Sequence, residues 1–313
     1  MRFLILLLLA SLAACAPRFD TGALRDPSRA AVIGNEDVVT RDGTHLSSRR
    51  WDAEGPPKAV IVAVHGMSDY SNAFDMPGQA WAMQGITTIA YDQRGFGRNA
   101  NPGVWAGADA MRADLADVVD AARSRYPGVP VFALGESMGG AVLLTALASQ
   151  APPAVDGAIL VAPAVWSRAD MPLTYRAALF LAAHLIPGVI LSNNAASKVV
   201  KIVPSDNVEM LRALGRDPLF QKRTRTDTLY GLVNLMDEAR TAPTRLGNPP
   251  PLLMVYGAND QVIPAKPTQA VIGELGNRAT VRRYDKGYHM LLRDLQRATV
   301  HQDVADWVLK RNN

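Results

Sequence analysis

Three residues in this chain, Ser137, Asp260 and His289, have the types and surroundings needed for nucleophilic acyl transfer. A serine hydroxyl is a poor nucleophile at neutral pH; it needs a base, and the base needs an acid to orient it. Ser137 lies in Gly135-Glu136-Ser137-Met138-Gly139-Gly140, between the apolar run Val129 to Leu134 and the alanine- and leucine-rich stretch Ala141 to Ala148. That order predicts a strand, a sharp turn and a helix, with the turn lifting the hydroxyl toward a cleft. Gly135 and Gly139 are expected where strand and helix close on each other and a Cβ would clash. Met138, first in the helix, has an N–H with no carbonyl one turn back, free to face an oxyanion.

The acid and base candidates follow two later apolar runs. Leu252 to Tyr256 leads into Gly257-Ala258-Asn259-Asp260, and Thr280 to Tyr284 leads into Asp285-Lys286-Gly287-Tyr288-His289. Each has a plainer alternative. Asp260 could cap a helix starting near Pro264, and Asp285 is a second acid only four residues from the histidine. Of the other histidines, His45 falls in a hairpin, His184 in an insertion and His301 near the end of the chain. His65 and Gly66 end another apolar run and introduce Met67, whose N–H is the expected second oxyanion donor; His65 is expected to buttress this loop. Asp92 to Arg98 contains Gly95-x-Gly97 but lacks the third glycine and acidic ribose partner of a nucleotide loop. It reads as a structural loop, with Asp92 and Arg94 bracing the site from below. With one cysteine and no clustered His/Asp pattern, the sequence supports no metal site.

These residues require strands that end at a common edge. Lys58 to Val64, Ile86 to Tyr91, Val129 to Leu134, Ala158 to Val161 and Leu252 to Tyr256 are short apolar runs, the pattern of strands buried on both faces. An amphipathic stretch over Ala106 to Tyr126 and another over Gln302 to Arg311 predict helices, and a turn at Asp42-Gly43 predicts a hairpin from Val38 to Trp51. The alternation predicts an α/β fold, a mostly parallel sheet with helices on both faces. Residues 36–163 and 249–313 form this core. Residues 164–248 interrupt the rhythm and are expected to form a helical cap above the carboxyl ends of the strands, the edge where open α/β sheets bind ligands.

The chain has 313 residues, 48% of them hydrophobic, and a formal charge of +4. So mild an excess, without an arginine-rich stripe, excludes a nucleic-acid partner. The first residues are more specific. Arg2, the apolar Phe3 to Leu9 and the small residues before Cys15 have the proportions of a signal peptide over 1–14. Leu12-Ala13-Ala14-Cys15 resembles the lipobox of bacterial lipoproteins, which implies lipidation of Cys15, a tether over 15–35 and attachment to a membrane of the bacterial cell envelope. Ala16, where an aspartate would retain such a protein, leans toward the periplasmic side of the outer membrane.

Together the blocks His65-Gly66-Met67, Tyr91 to Gly97, Gly135 to Gly140, Gly257 to Asp260 and Gly287 to His289 resemble the serine α/β-hydrolases, and most nearly their monoacylglycerol lipase and lysophospholipase branch. The resemblance implies an α/β-hydrolase fold with a helical cap and a carboxylic-ester hydrolase without a cofactor, acting on small-molecule or lipid esters through Ser137, His289 and Asp260. Glu136 departs from the family, many of whose members have histidine there. A short-chain carboxylesterase or a serine aminopeptidase-like hydrolase is the alternative. A non-catalytic envelope lipoprotein on the same scaffold is the alternative from a different class.

Overall fold

The computed structural model describes residues 17–192 and 202–310. The expected signal peptide and Cys15 lie outside the described residues.

Nine strands form one sheet: β1 (Val32–Ile33), β2 (Asp37–Val39), β3 (His45–Trp51), β4 (Ala59–Val64), β5 (Ile86–Tyr91), β6 (Val131–Glu136), β7 (Gly157–Val161), β10 (Leu252–Gly257) and β11 (Ala279–Tyr284). Their order is β1-β2-β3-β5-β4-β6-β7-β10-β11; every pair from β5 to β11 is parallel, and the first three strands join antiparallel. The expected strands and hairpin are therefore present, with ends moved by one or two residues.

The central strands are buried on both faces, and side-chain alternation splits each between two cores. In β4, Val60, Val62 and Val64 join the cluster containing α2 (Ala108–Arg125), α3 (Met138–Leu147) and α7 (Ala265–Leu275). Ala59, Ile61 and Ala63 face the opposite cluster with α1 (Asp75–Ala82) and α8 (Arg297–Leu309). Every residue of α3 is buried. Its sequence is nearly all apolar because sheet, flanking helix and cap surround it.

The insertion holds α4 (Leu173–Leu185), a separate two-stranded ribbon of β8 (Ile190–Ser192) and β9 (Arg223–Arg225), α5 (Val208–Arg216) and α6 (Thr226–Thr241). Unlike a free lid, α6 packs on α3, burying Val233, Leu235, Met236 and Ala239. None of the described helices is long and apolar enough to cross a membrane.

The segment expected to be a tether differs from expectation over residues 17–35. Phe19 bridges to Trp105, Arg25 forms ion pairs with the buried Asp114 and Asp117 of α2, and Ala31 is buried beside β1. Two physical causes act together. Buried carboxylates demand a cation, and β2 would otherwise present an unpaired edge.

Candidate active site

The turn from β6 to α3 sets Ser137 at φ 53°, a conformation rare for a residue with a side chain. The surroundings hold it there. Ser137 N–H donates to the Val161 carbonyl at 2.9 Å, and the Ser137 carbonyl accepts from Ala141 at 3.1 Å and Ala164 at 2.9 Å. The flanking glycines permit the close approach: a Cβ on Gly135 would stand 2.3 Å from the Gly139 carbonyl oxygen, and one on Gly139 would stand 2.1 Å from that of Val64.

The structure brings all three sequence-derived residues together. Ser137 Oγ lies 2.9 Å from His289 Nε2, and His289 Nδ1 lies 2.8 Å from Asp260 Oδ2. The other carboxylate oxygen of Asp260 accepts the N–H groups of Val262 at 2.8 Å and Ile263 at 3.0 Å. Asp260 is thus both the turn residue of the plainer alternative and the partner of the imidazole. The side chains of His289 and Asp260 are 8% and 9% exposed, so water does not compete freely for their bond. With Nδ1–H donating to Asp260, Nε2 keeps a lone pair for the serine proton. Asp285 is excluded as the acid, since its side chain is 86% exposed and faces Arg283.

The loop after β4 passes directly beside the nucleophile. A Cβ on Gly66 would lie 3.1 Å from Ser137 Cβ, so a side chain there would crowd the serine. Met67 and Met138 line the same cavity as Ser137. His65 is fully enclosed: Nδ1–H donates to the Gly66 carbonyl at 2.8 Å, and Nε2 accepts the Gln93 N–H at 2.9 Å. Burial holds its pKa below the ordinary histidine value, so it stays neutral and serves as a strut.

The bracing loop works through other residues than expected. Gln93 holds His65 from two sides, its side-chain amide donating to the His65 carbonyl at 2.8 Å. Asp92 accepts the Ser71 and Arg98 N–H groups. Arg94 turns away from the site and makes a two-pronged pair with Asp114 and a further bond to Asp42, tying the hairpin to α2.

A buried charge cluster beneath the serine was not legible in the sequence. Arg293 Nη2 lies 2.6 Å from Asp69 Oδ2 and 3.4 Å from Glu136 Oε2, and all three residues are at most 4% exposed. Burial drives the Glu136 carboxyl above its ordinary range, while Arg293 pulls it back. The one available signal was Glu136 itself, an acid ending an apolar strand.

Above Ser137 opens a cavity of about 650 Å³ between core and cap. Its wall is apolar, built from residues such as Trp166, Met171, Leu179, Leu232 and Met236. Among the described residues, none of those lining it is charged, and no group of acids, histidines or cysteines could hold a metal ion.

A family model described as serine aminopeptidase, S33, matches residues 55–296. Monoglyceride lipase from Rattus norvegicus is 28% identical over 280 residues, covering 88% of this chain and 90% of that protein. Monoacylglycerol lipase from Mycolicibacterium smegmatis is 24% identical, covering 83% and 91%. Among solved structures, a soluble variant of the Saccharomyces cerevisiae monoglyceride lipase aligns with TM-score 0.74 at 17% identity, covering 95% of this chain and 99% of that one. The chain has the α/β-hydrolase fold and belongs to the serine aminopeptidase S33 family.

Proposed function

We propose that this protein is a serine carboxylic-ester hydrolase acting on monoacylglycerol-like lipid esters. The observation that carries this reading is the Ser137–His289–Asp260 chain of hydrogen bonds at the floor of an uncharged, apolar cavity of about 650 Å³. An acyl chain would leave water for that wall, at roughly 0.8 kcal/mol per CH₂ buried. Ser137 Oγ attacks the ester carbonyl as His289 Nε2 takes its proton. The N–H groups of Met67 and Met138 hold the resulting oxyanion, each such donor contributing about 10²–10³-fold to kcat. The imidazolium returns the proton to the departing alcohol, and water activated by the same imidazole hydrolyses the acyl-enzyme.

The names of the relatives support the ester class. An aminopeptidase must neutralise a free ammonium group, and among the described residues no carboxylate lines this cavity. A retired, non-catalytic scaffold would be expected to have lost a member of the triad, and all three are present in hydrogen-bonding order.

The test is hydrolysis of a p-nitrophenyl ester series from acetate to palmitate, and of a monoacylglycerol, by wild type and Ser137→Ala. Loss of about 10⁶-fold in kcat is expected for the variant. An optimum at acetate would replace the lipid reading with a short-chain esterase, and wild-type inactivity throughout would sink the ester reading.

The same proposal takes the chain to a membrane, through a signal peptide over 1–14 and lipidation of Cys15. It puts the protein in a bacterial cell envelope, on the periplasmic side of the outer membrane. Support comes from the lipobox-like Leu12 to Cys15 and from the cap, where Leu173, Phe180, Leu181, Leu185, Ile190 and Leu191 are all exposed. Exposed apolar side chains gathered on α4 and the β8 strand that follows it fit a lipid surface.

A further inference from the structure

The charge cluster beneath Ser137 joins three of the segments that the proposed reaction depends on, and the insertion as well. Arg293 stands four residues beyond His289, on the same loop. Its guanidinium meets Asp69, on the loop that presents Met67, and Glu136, the residue before the nucleophile. Its carbonyl accepts the side-chain amide of Asn207 at 2.9 Å, and Asn207 also caps α5 of the insertion through Met210 N–H. Two neighbouring bonds reinforce this last link: Met290 N–H to the Pro204 carbonyl at 2.9 Å, and Leu295 N–H to Asp206 at 2.9 Å.

We infer that Arg293 is a positioning residue, fixing the oxyanion loop, the serine elbow and the His289 loop in one register through Asp69 and Glu136. The inference rests on the ester-hydrolase reading.

Three features favour positioning over simple stabilisation. Both carboxylates lie within reach of one nitrogen, Nη2, at 2.6 and 3.4 Å, so a single guanidinium terminus ties together the two segments that carry them. The partners lie 224 and 157 residues away in the chain, on the two segments that supply the oxyanion donors. An apolar trio would fill the same space without the desolvation cost of burying three ionisable groups.

The experiment uses the full chain and compares wild type, Arg293→Met, Glu136→Gln and the charge-free triple variant Asp69→Asn/Glu136→Gln/Arg293→Met. Each is assayed for kcat and KM on p-nitrophenyl butyrate, for affinity toward an alkyl trifluoromethyl ketone, whose hemiketal oxygen occupies the oxyanion position, and for melting temperature. Arg293→Met is expected to lower kcat by roughly 10²-fold, the effect of misplacing reacting groups by about 1 Å. KM should stay within about twofold, because the cavity wall is untouched, while affinity for the ketone falls in step with kcat/KM. The triple variant should recover melting temperature, since no unpaired buried charge remains, without recovering kcat.

Wild-type kcat in the refolded-to-stability triple variant, or in Arg293→Met itself, overturns the inference. Should Arg293→Met fail to fold, Glu136→Gln decides. It keeps the Arg293–Asp69 pair, and an unchanged kcat and ketone affinity there also overturn it. Failure of the underlying reading looks different: wild type would hydrolyse no ester and Ser137 would not label with a fluorophosphonate.

Discussion

Asp260 is the residue whose two oxygens have separate tasks, and this makes its substitution informative. One oxygen holds the turn through the Val262 and Ile263 N–H groups, while the other accepts the hydrogen bond of His289 Nδ1–H. Asn at this position can keep the turn with its carbonyl, which leaves its NH₂ facing Nδ1. The imidazole must then move its proton to Nε2, where it can no longer accept from serine. Asp260→Asn is expected to cut kcat by about 10⁴-fold with little change in melting temperature. Near wild-type turnover would reduce Asp260 to a turn residue. The triad was legible because each member follows a buried apolar run on a short loop, so local pattern also gave spatial position. Arg293 was not legible for the converse reason. It follows Met290-Leu291-Leu292 on a loop with no helical or strand pattern, and its sequence-distant partners Asp69 and Glu136 are brought together by the parallel pairing of β4 and β6.

Among the elements, strands buried on both faces were the most legible, since their apolar runs leave no competing helical or half-exposed pattern. The segment 17–35 misled because Pro17, Gly22, Pro27 and Gly34 speak only of local backbone, whereas its placement depends on the buried acids of α2. Helix α8 began earlier than its amphipathic pattern suggested, and it carries a second enclosed imidazole, His301. Its Nε2–H donates to the Leu292 carbonyl at 2.8 Å, and the Trp81 indole donates to the His301 carbonyl at 3.0 Å, joining α8 to α1 and to the loop of His289. Burial depresses the pKa of His301, as it does that of His65. Below the ordinary value of 6.5 the unfolded chain takes up protons that the native state refuses. Stability is therefore lost as pH falls from 6.5 toward the depressed native value, by up to about 1.4 kcal/mol per pH unit for each such group. Glu136, raised by burial, acts in the opposite sense but is common to both proteins compared. His301→Gln keeps a donor for Leu292 and removes the titration. Its melting temperature should fall less than that of wild type between about pH 7 and pH 5; parallel curves would mean that His301 takes up its proton in the native state as readily as in the unfolded chain.

For the molecule as a whole, the cap and the N-terminus pose one question: how a lipid ester reaches a serine under a roof. The inner face of α4 lines the cavity through Tyr175, Ala178, Leu179 and Ala182. Its outer face leaves Leu173 73%, Leu181 53% and Leu185 62% exposed. One helix thus touches both the cavity and the surroundings, so a lipid layer against its outer face would lie within a helix diameter of the acyl site, about 10–12 Å. The N-terminal segment reaches the same cap, where the Arg18 N–H meets Asp227 at the start of α6 at 3.4 Å. Acyl chains on Cys15 would outweigh the ridge, since two or more chains hold a protein stably whereas partial burial of three leucines, at about 1.5–3 kcal/mol each when complete, binds reversibly. The two contributions therefore separate. Wild type purified from membranes should float with phospholipid vesicles and resist dilution. Cys15→Ser should float weakly and come off on dilution, and adding Leu173→Ser, Leu181→Ser and Leu185→Ser should abolish flotation. Because none of these three leucines lines the cavity, hydrolysis of soluble p-nitrophenyl butyrate should persist in every variant, while turnover of monoacylglycerol embedded in vesicles falls in the same order as flotation. Tight flotation of Cys15→Ser would remove the lipid anchor from this account, and equal flotation with and without the leucines would remove the ridge.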